Sequence, residues 1–240
     1  MGDITTVVLA GGKGTRLRPL TAVFPKPLVP LGDKPIIEIL LRRLAASGFR
    51  KVVLCNGYLA ELVVAVCGDG SKFGLSVEYV QEEEPLGTAG PLSLVGDTSD
   101  PVLVMNGDLL TTMDFTKMLA SHVEKSADAT IAVFKRDVPI DFGVIDSDEG
   151  GLFRGYREKP VFHFEVSMGV YMLGSKAVKA VRRGAYMDMP DLILDVQRRG
   201  GLVNCYREDC FWLDIGRMDD YALAQEEFER NEALFLGTSA

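Results

Sequence analysis

Three glycines within four positions, Gly11, Gly12 and Gly14, directly follow an apolar run and precede Thr15, Arg16 and Arg18. So short an arc with so few side chains lets backbone N–H groups close around an anion, and Lys13, Arg16, Arg18 and Lys26 add positive charge. That combination is the chemistry of a phosphate site; for the glycines alone, a tight surface turn is the competing reading. Two aspartates, Asp108 and Asp214, share one placement, each directly after a short apolar run and close to a glycine. If both runs are strands of one sheet, their carboxylates converge near the glycine loop and can hold a hard cation. Magnesium suits that arrangement, since one or two carboxylates plus phosphate oxygens typically hold it. Two unrelated strand-end caps would explain the same residues. Glu158-Lys159-Pro160 sets a carboxylate that can accept from vicinal hydroxyls beside an ammonium that can pair with a phosphate, or else forms a surface ion pair.

The elements that must position these groups follow from periodicity. Ile4 to Ala10 is continuously apolar, as expected of a strand buried on both faces in a parallel sheet, and the glycine loop lies at its C-terminal end. Prolines 19, 25, 27, 30 and 35 forbid regular helix between Arg18 and Pro35 and predict extended chain that holds Lys26 between rigid neighbours. Ile36, Ile37, Leu40, Leu41 and Leu44 mark one helical face, and the strand Lys51 to Cys55 completes a βαβ unit. The pattern repeats with a helix near 60–66, a strand at 75–80 and a strand at 102–105 that ends in Asn106-Gly107-Asp108. In open α/β sheets the carboxyl edge of the strands is where ligands bind, which is where Asp108 falls. A helix from Phe115 and a strand at 130–134 follow. From Asp141 short strands and turns predict a β-hairpin insertion around Ser147 to Gly151, then a strand at 167–173, helices at 175–183 and 190–199, short strands at 203–206 and 210–213, and a closing helix at 217–234.

The composition narrows the class. With 240 residues, 47% hydrophobic and 25% charged, the chain is long enough for a substantial core and has no tract apolar enough to span a bilayer. Met1-Gly2-Asp3 leads straight into a strand without a signal-peptide pattern, so a cytoplasmic protein without membrane partners is expected. A net charge of −8 argues against nucleic acid as a partner. Cys55, Cys67, Cys205 and Cys210 have no metal-ligand spacing and read as free thiols, His122 and His163 as structural, and Asp69-Gly70 as a plain turn rather than a calcium loop. No repeat, low-complexity tract or linker divides the chain.

Taken in order, Leu-Ala-Gly-Gly-x-Gly-Thr-Arg-Leu-x-Pro-Leu-Thr, Pro-Lys-Pro, Pro-Leu-Gly-Thr-Ala-Gly, Asn-Gly-Asp, Glu-Lys-Pro, Gly-Val-Tyr and Trp-x-Asp-Ile-Gly resemble the sugar-1-phosphate nucleotidyltransferases, from Ile4 to about Tyr221. The resemblance implies one domain with a Rossmann-like three-layer α/β/α fold, a mixed, mostly parallel central sheet and a β-hairpin sugar-binding insertion. Its nucleotide part would cover about 1–135, its sugar part about 136–216 and a C-terminal helix about 217–235. It implies transfer of a nucleoside monophosphate from a nucleoside triphosphate to a sugar 1-phosphate with Mg2+. Leu9, Gly11, Gly12, Gly14, Thr15, Glu82, Gly87 and Thr88 would bind the nucleotide, and Arg16 would hold the departing phosphates. Lys26 would neutralise the α-phosphate, Asp108 and Asp214 would ligate the metal, and Gly143, Glu158, Lys159, Ser167 and Gly169 would form the sugar-phosphate site. The nucleophile is already ionised, so positioning and charge neutralisation suffice and no catalytic histidine is expected.

The loop from Glu82 to Leu92 looks most like that of GDP-mannose-type guanylyltransferases, where a carboxylate at Glu82 would accept both N–H donors of guanine, which favours GTP. Uridylyl or thymidylyl transfer, and a non-catalytic nucleotide-sugar-binding regulator on the same fold, are the alternatives. Ser167 replaces a frequent asparagine and Phe142 a frequent tyrosine, both in the sugar half, and Asp188-Met189-Pro190-Asp191-Leu192 resembles single-domain and CBS-linked members that use aminosugar or heptose phosphates. The chain shows no hexapeptide-repeat β-helix, so a monomer or homodimer is expected.

Overall fold

Alternation along the central strands sends side chains to two opposite layers of helices, and this is what sets the architecture. The structure, a computed structural model, describes residues 4–12 and 14–238. The expected charge of Lys13 and the Met1–Asp3 lead-in lie outside the described residues.

Strand β1 (Thr5–Ala10) delivers the glycine loop, followed by the short pair β2 (Pro30–Leu31) and β3 (Lys34–Pro35) and helix α1 (Ile36–Ala46). Then come β4 (Lys51–Asn56), α2 (Ala60–Cys67), β5 (Ser76–Gln81), β6 (Val102–Asn106), β7 (Leu109–Thr111) and α3 (Phe115–Glu124). The second half runs β8 (Ala129–Pro139), β9 (Val144–Ser147), β10 (Phe153–Arg157) and β11 (Val161–Leu173). It ends with α4 (Ser175–Ala180), α5 (Met189–Arg198), β12 (Val203–Arg207), β13 (Trp212–Asp214) and α6 (Met218–Leu236).

Seven strands form the sheet in the order β12-β8-β11-β6-β1-β4-β5. Only β11 runs antiparallel to its neighbours, β6 and β8. Val8, Val52, Leu54, Leu103 and Met105 meet α1, α2 and α3 on one face. Val7, Val53, Cys55, Val102 and Val104 meet α4, α5 and Leu92 on the other. A third cluster lies beneath the glycine loop, where Phe228 and Phe235 of α6 pack with Leu17, Leu31 and Ile215. Burying Leu17 completely there stabilises by about 2 kcal/mol, so the C-terminal helix fixes the loop's far end.

Three departures from the sequence reading have physical causes. The proline-rich stretch between Arg18 and Pro35 is extended only in part: it forms two 3-10 turns, Leu20–Ala22 and Lys26–Leu28, before the short strands β2 and β3. Proline fixes φ near −65°, a value that a 3-10 turn accepts as readily as extended chain. β8 and β11 run past the expected ends and pair from Val161↔Pro139 to Ser167↔Val133, forming a ribbon beyond the core sheet, and the β9–β10 hairpin lies in the connection between them. Their outer halves mix charged with apolar residues and carry the cross-strand pair His163–Asp137, while Glu165 of β11 pairs with Arg207 of β12. Finally, β13 does not join the central sheet; it pairs with β7, in the register Asp214↔Leu109.

Candidate functional site

At the carboxyl edge of β1, β4 and β6 lies a cleft of about 830 Å³, well within the range of small-molecule sites. Seven of the expected nucleotide and metal residues line it: Leu9, Gly11, Gly12, Glu82, Gly87, Thr88 and Asp108. A side chain on Gly11 would collide with Glu82 Oε1, whereas one on Gly12 would meet nothing within 4 Å. Gly11 therefore makes room for the Glu82 carboxylate, and Gly12 leaves the cleft floor open. Gly14, Thr15 and Arg16 lie outside the cleft lining. Gly14 adopts φ +59°, and its carbonyl accepts from Thr21 Oγ1 at 2.7 Å, which turns the chain into the 3-10 turn Thr15–Leu17.

Lys26 is 9% exposed and forms an ion pair with Asp108, and its ammonium also stands 3.8 Å from Asp214 Oδ1. The two aspartates reach one point because β6 ends just before Asp108 while the β7–β13 ladder sets Asp214 opposite Leu109, and Ile215 N donates to Asp108 O at 3.1 Å. They converge, but through a second small sheet rather than through the central one. Burial first, then the neighbouring Asp108, raises the Asp214 carboxyl above its ordinary value, while Lys26 and Arg16 act in the opposite direction. Arg16 Nη2 and Asp214 Oδ1 both lie beside Gly216, so the exposed guanidinium borders the same point.

Asp108 Oδ1 and Asp214 Oδ1 are buried and accept no hydrogen bond. Two unpartnered carboxylate oxygens fit a hard cation that completes its shell with phosphate oxygens and water. No group of three or more potential metal ligands occurs among the described residues, so such an ion would depend on the substrate for ligands.

The loop after β5 forms the outer wall. Glu82 N donates to Asn56 O at 2.9 Å, and Glu82 Oε2 accepts from Leu86 N at 3.0 Å. Burial pushes the Glu82 carboxyl up, opposed by the Leu86 N–H. The Thr88 hydroxyl is already engaged: it accepts from Met189 N at 2.7 Å and donates to Asp188 Oδ1 at 3.3 Å.

The sugar-phosphate set falls into two groups. Gly169, at φ +69° in the bulge of β11, faces Asn106 at the cleft, and Ser167 Oγ accepts from Gly169 N at 3.2 Å and pairs with Tyr171 Oη at 2.9 Å. Gly143 lies against Tyr156 Oη, which donates to Glu158 Oε2 at 2.9 Å, with Lys159 next in the chain. None of the five, Ser167 and Gly169 included, lines the cleft itself. Glu158 and Lys159 form no ion pair among the described residues, so the surface-pair reading does not account for them. Asn106 and Tyr58 also line the cleft, although the sequence assigns neither a role; Asn106 stands opposite Leu9 in the β1–β6 register, and its place in the Asn-Gly-Asp motif at the strand end is the signal that points to it.

Elsewhere, Cys55 and Cys67 are buried free thiols raised by burial to about 12 and about 11, and buried His122 bonds through Nδ1 to Thr130 Oγ1 at 2.9 Å. Asp69 Oδ1 accepts from Ser71 N at 3.0 Å in a plain turn. No helix is long and apolar enough to cross a membrane among the described residues.

Residues 5–231 match the nucleotidyl transferase family. The chain is 33% identical to a mannose-1-phosphate guanylyltransferase of Mycobacterium tuberculosis, over 96% of this chain and 66% of the relative. It is 34% identical to probable mannose-1-phosphate guanylyltransferase 1 of Oryza sativa subsp. japonica, over 90% of this chain and 62% of the relative. It thus spans a little under two thirds of the length of these relatives. Among solved structures, HddC from Yersinia pseudotuberculosis superposes with TM-score 0.74 at 26% identity, covering 94% of this chain and 99% of that one.

Proposed function

Since this chain belongs to the nucleotidyl transferase family, we propose that it transfers a nucleoside monophosphate, GMP from GTP, to a sugar 1-phosphate and releases pyrophosphate. One observation carries the reading: a buried ammonium and two carboxylates, each with a buried oxygen that accepts no hydrogen bond, stand at the rim of a cleft lined by Gly11, Gly12 and Glu82. Two curated relatives named as mannose-1-phosphate guanylyltransferases make mannose 1-phosphate the first acceptor to test.

In this mechanism an ionised oxygen of the sugar phosphate attacks the α-phosphorus in line. A P–O bond forms, the bond to the β-phosphate oxygen breaks, and pyrophosphate leaves with the electron pair. No proton has to be removed, so the work is to bring two anions together. Gly12 and the loop around it leave room for the triphosphate. Lys26 exchanges a carboxylate partner for an α-phosphate oxygen, and Arg16, exposed beside Asp214, meets the departing phosphates. Asp108 and Asp214 would hold Mg2+, which when bound neutralises phosphate charge. Glu82, half-buried in the wall, accepts from the N–H edge of guanine. Gly169 and Ser167 adjoin the cleft through Asn106 and receive the sugar, and Glu158 and Lys159, in the turn between β10 and β11, meet its hydroxyls and phosphate.

The test follows the label. With GTP carrying radiolabelled α-phosphate, mannose 1-phosphate and Mg2+, label should enter a nucleotide sugar while unlabelled pyrophosphate is released. Label appearing only as free GMP or GDP would overturn the proposal.

A further inference from the structure

The wall of the cleft is tied to a segment a hundred residues away. Leu86 O accepts from Met187 N at 2.9 Å, and Met187 O in turn accepts from Ala89 N at 2.9 Å and Gly90 N at 3.0 Å. Between these bonds, Asp188 gathers three donors. Its Oδ1 accepts from Thr88 N at 3.1 Å and from Thr88 Oγ1, and its Oδ2 accepts from Tyr186 Oη at 2.8 Å. The Thr88 hydroxyl in turn accepts from Met189 N, the first N–H of α5, which no carbonyl of its own helix can serve. Each side therefore satisfies a group the other leaves open. Gly87 sits at φ +77°, and a Cβ there would stand 2.5 Å from Met187 O and 2.8 Å from Asp188 Oδ1. The contact is close enough to exclude a side chain.

From this geometry we infer that Asp188 is a positioning residue for nucleotide selection: through Thr88 it latches the Glu82–Leu92 loop in the pose that presents Glu82 to the nucleobase. The inference rests on the nucleotidyl-transfer reading. Asp188 lines no part of the cleft, so it acts by holding the loop rather than by touching the nucleotide. The three donors and the low pKa they give Asp188, with the Tyr186 hydroxyl the largest cause, mean that the latch holds as a carboxylate. The partners are partly solvent-exposed, so the effect is moderate: loss of the charged acceptor should weaken nucleotide binding about fivefold.

Isothermal titration of GTP and UTP, together with steady-state kinetics, on Asp188→Asn, Thr88→Val and the Asp188→Asn/Thr88→Val double variant tests this. The expected result is that Asp188→Asn and Thr88→Val each raise the GTP Kd and KM about fivefold and narrow the GTP-to-UTP preference. The double variant should be no worse than either single one. The KM for sugar 1-phosphate should stay within about twofold of wild type, because the sugar groups are not held by the latch. Tyr186→Phe, an exposed single-contact change, gives a weaker shift in the same direction and covers any failure of the others to fold. Unchanged GTP affinity in Asp188→Asn while wild type binds GTP, or equal losses for GTP and sugar phosphate, would overturn the latch alone. Wild-type protein that binds no triphosphate would overturn the nucleotidyl-transfer reading and the latch with it.

Discussion

Replacing Lys26 by alanine removes a buried cation that stands between two acidic side chains. Its ammonium is ion-paired with Asp108, and Asp214 Oδ1 stands 3.8 Å away. At that separation the gross attraction between unit charges is about 4 kcal/mol at an effective dielectric constant near 20. The net value is smaller, because the ammonium was desolvated to reach its place and because the Asp214 side chain is 46% exposed to water. Breaking a buried pair by removing one partner costs about 3–5 kcal/mol; with water reaching Asp214, about 2–3 kcal/mol is expected for Lys26→Ala. Urea denaturation at pH 7 in EDTA measures this. Adding Asp108→Asn should return at least about 1 kcal/mol, because the charge left without a partner goes with it. Turnover should behave differently. Removal of the cation proposed to neutralise the α-phosphate should lower kcat about a thousandfold, equivalent to about 4 kcal/mol in the transition state, and the double variant should stay as inactive. Stability losses that simply add in the double variant would refute the view of Lys26 as the counter-ion of the two carboxylates. Near-normal pyrophosphate release by Lys26→Ala would remove it from the mechanism.

Asp108→Asn should leave the far-ultraviolet circular dichroism unchanged and lower Mg2+-dependent pyrophosphate release about a thousandfold; a folded variant with full activity would refute the metal assignment. Glu82→Gln turns an acceptor-only group into one that also presents N–H donors, so kcat/KM for GTP should fall about a hundredfold while that for UTP changes far less. Equal losses for both nucleotides would mean that Glu82 supports the loop without reading the base. Burial depresses the His122 pKa below 6.5, so the unfolded chain binds the proton more tightly, and this contribution is present above pH 6.5 and lost as pH falls through 6.5 toward the folded value. His122→Gln should therefore flatten the stability-against-pH curve from urea melts below pH 6.5; an unchanged slope would exclude His122 as its source.

Much of the fold was legible because its strands are buried on both faces. Within them residues 7–10 and 102–105 read as uninterrupted apolar runs, and their ends mark the edge where the cleft lies. The outer halves of β8 and β11 gave no such signal. There the ribbon is exposed and carries Lys135, Arg136, Asp137 and Glu165, and its order comes from ladder bonds that any sequence can make. The candidate site was legible where chemistry restricts residue type. Lys26, Asp108 and Asp214 could be named from sequence, but not how they meet, because a three-residue pairing of β7 with β13 brings Asp214 to Asp108. Thr88 shows the converse: its place in the motif was read, whereas its hydroxyl bonds to Asp188 and Met189, partners a hundred positions away that no local pattern reveals.

The central claim is that the charge cluster at this cleft serves transfer of a nucleoside monophosphate to a sugar 1-phosphate. Pyrophosphate release, measured with GTP, UTP, dTTP and ATP against a panel of sugar 1-phosphates in the presence of Mg2+, tests it most directly. The account predicts release that requires both substrates, is greatest with GTP and is lost in Lys26→Ala. Absence of release with every pair, from folded protein that binds Mg2+ and nucleotide, would contradict it.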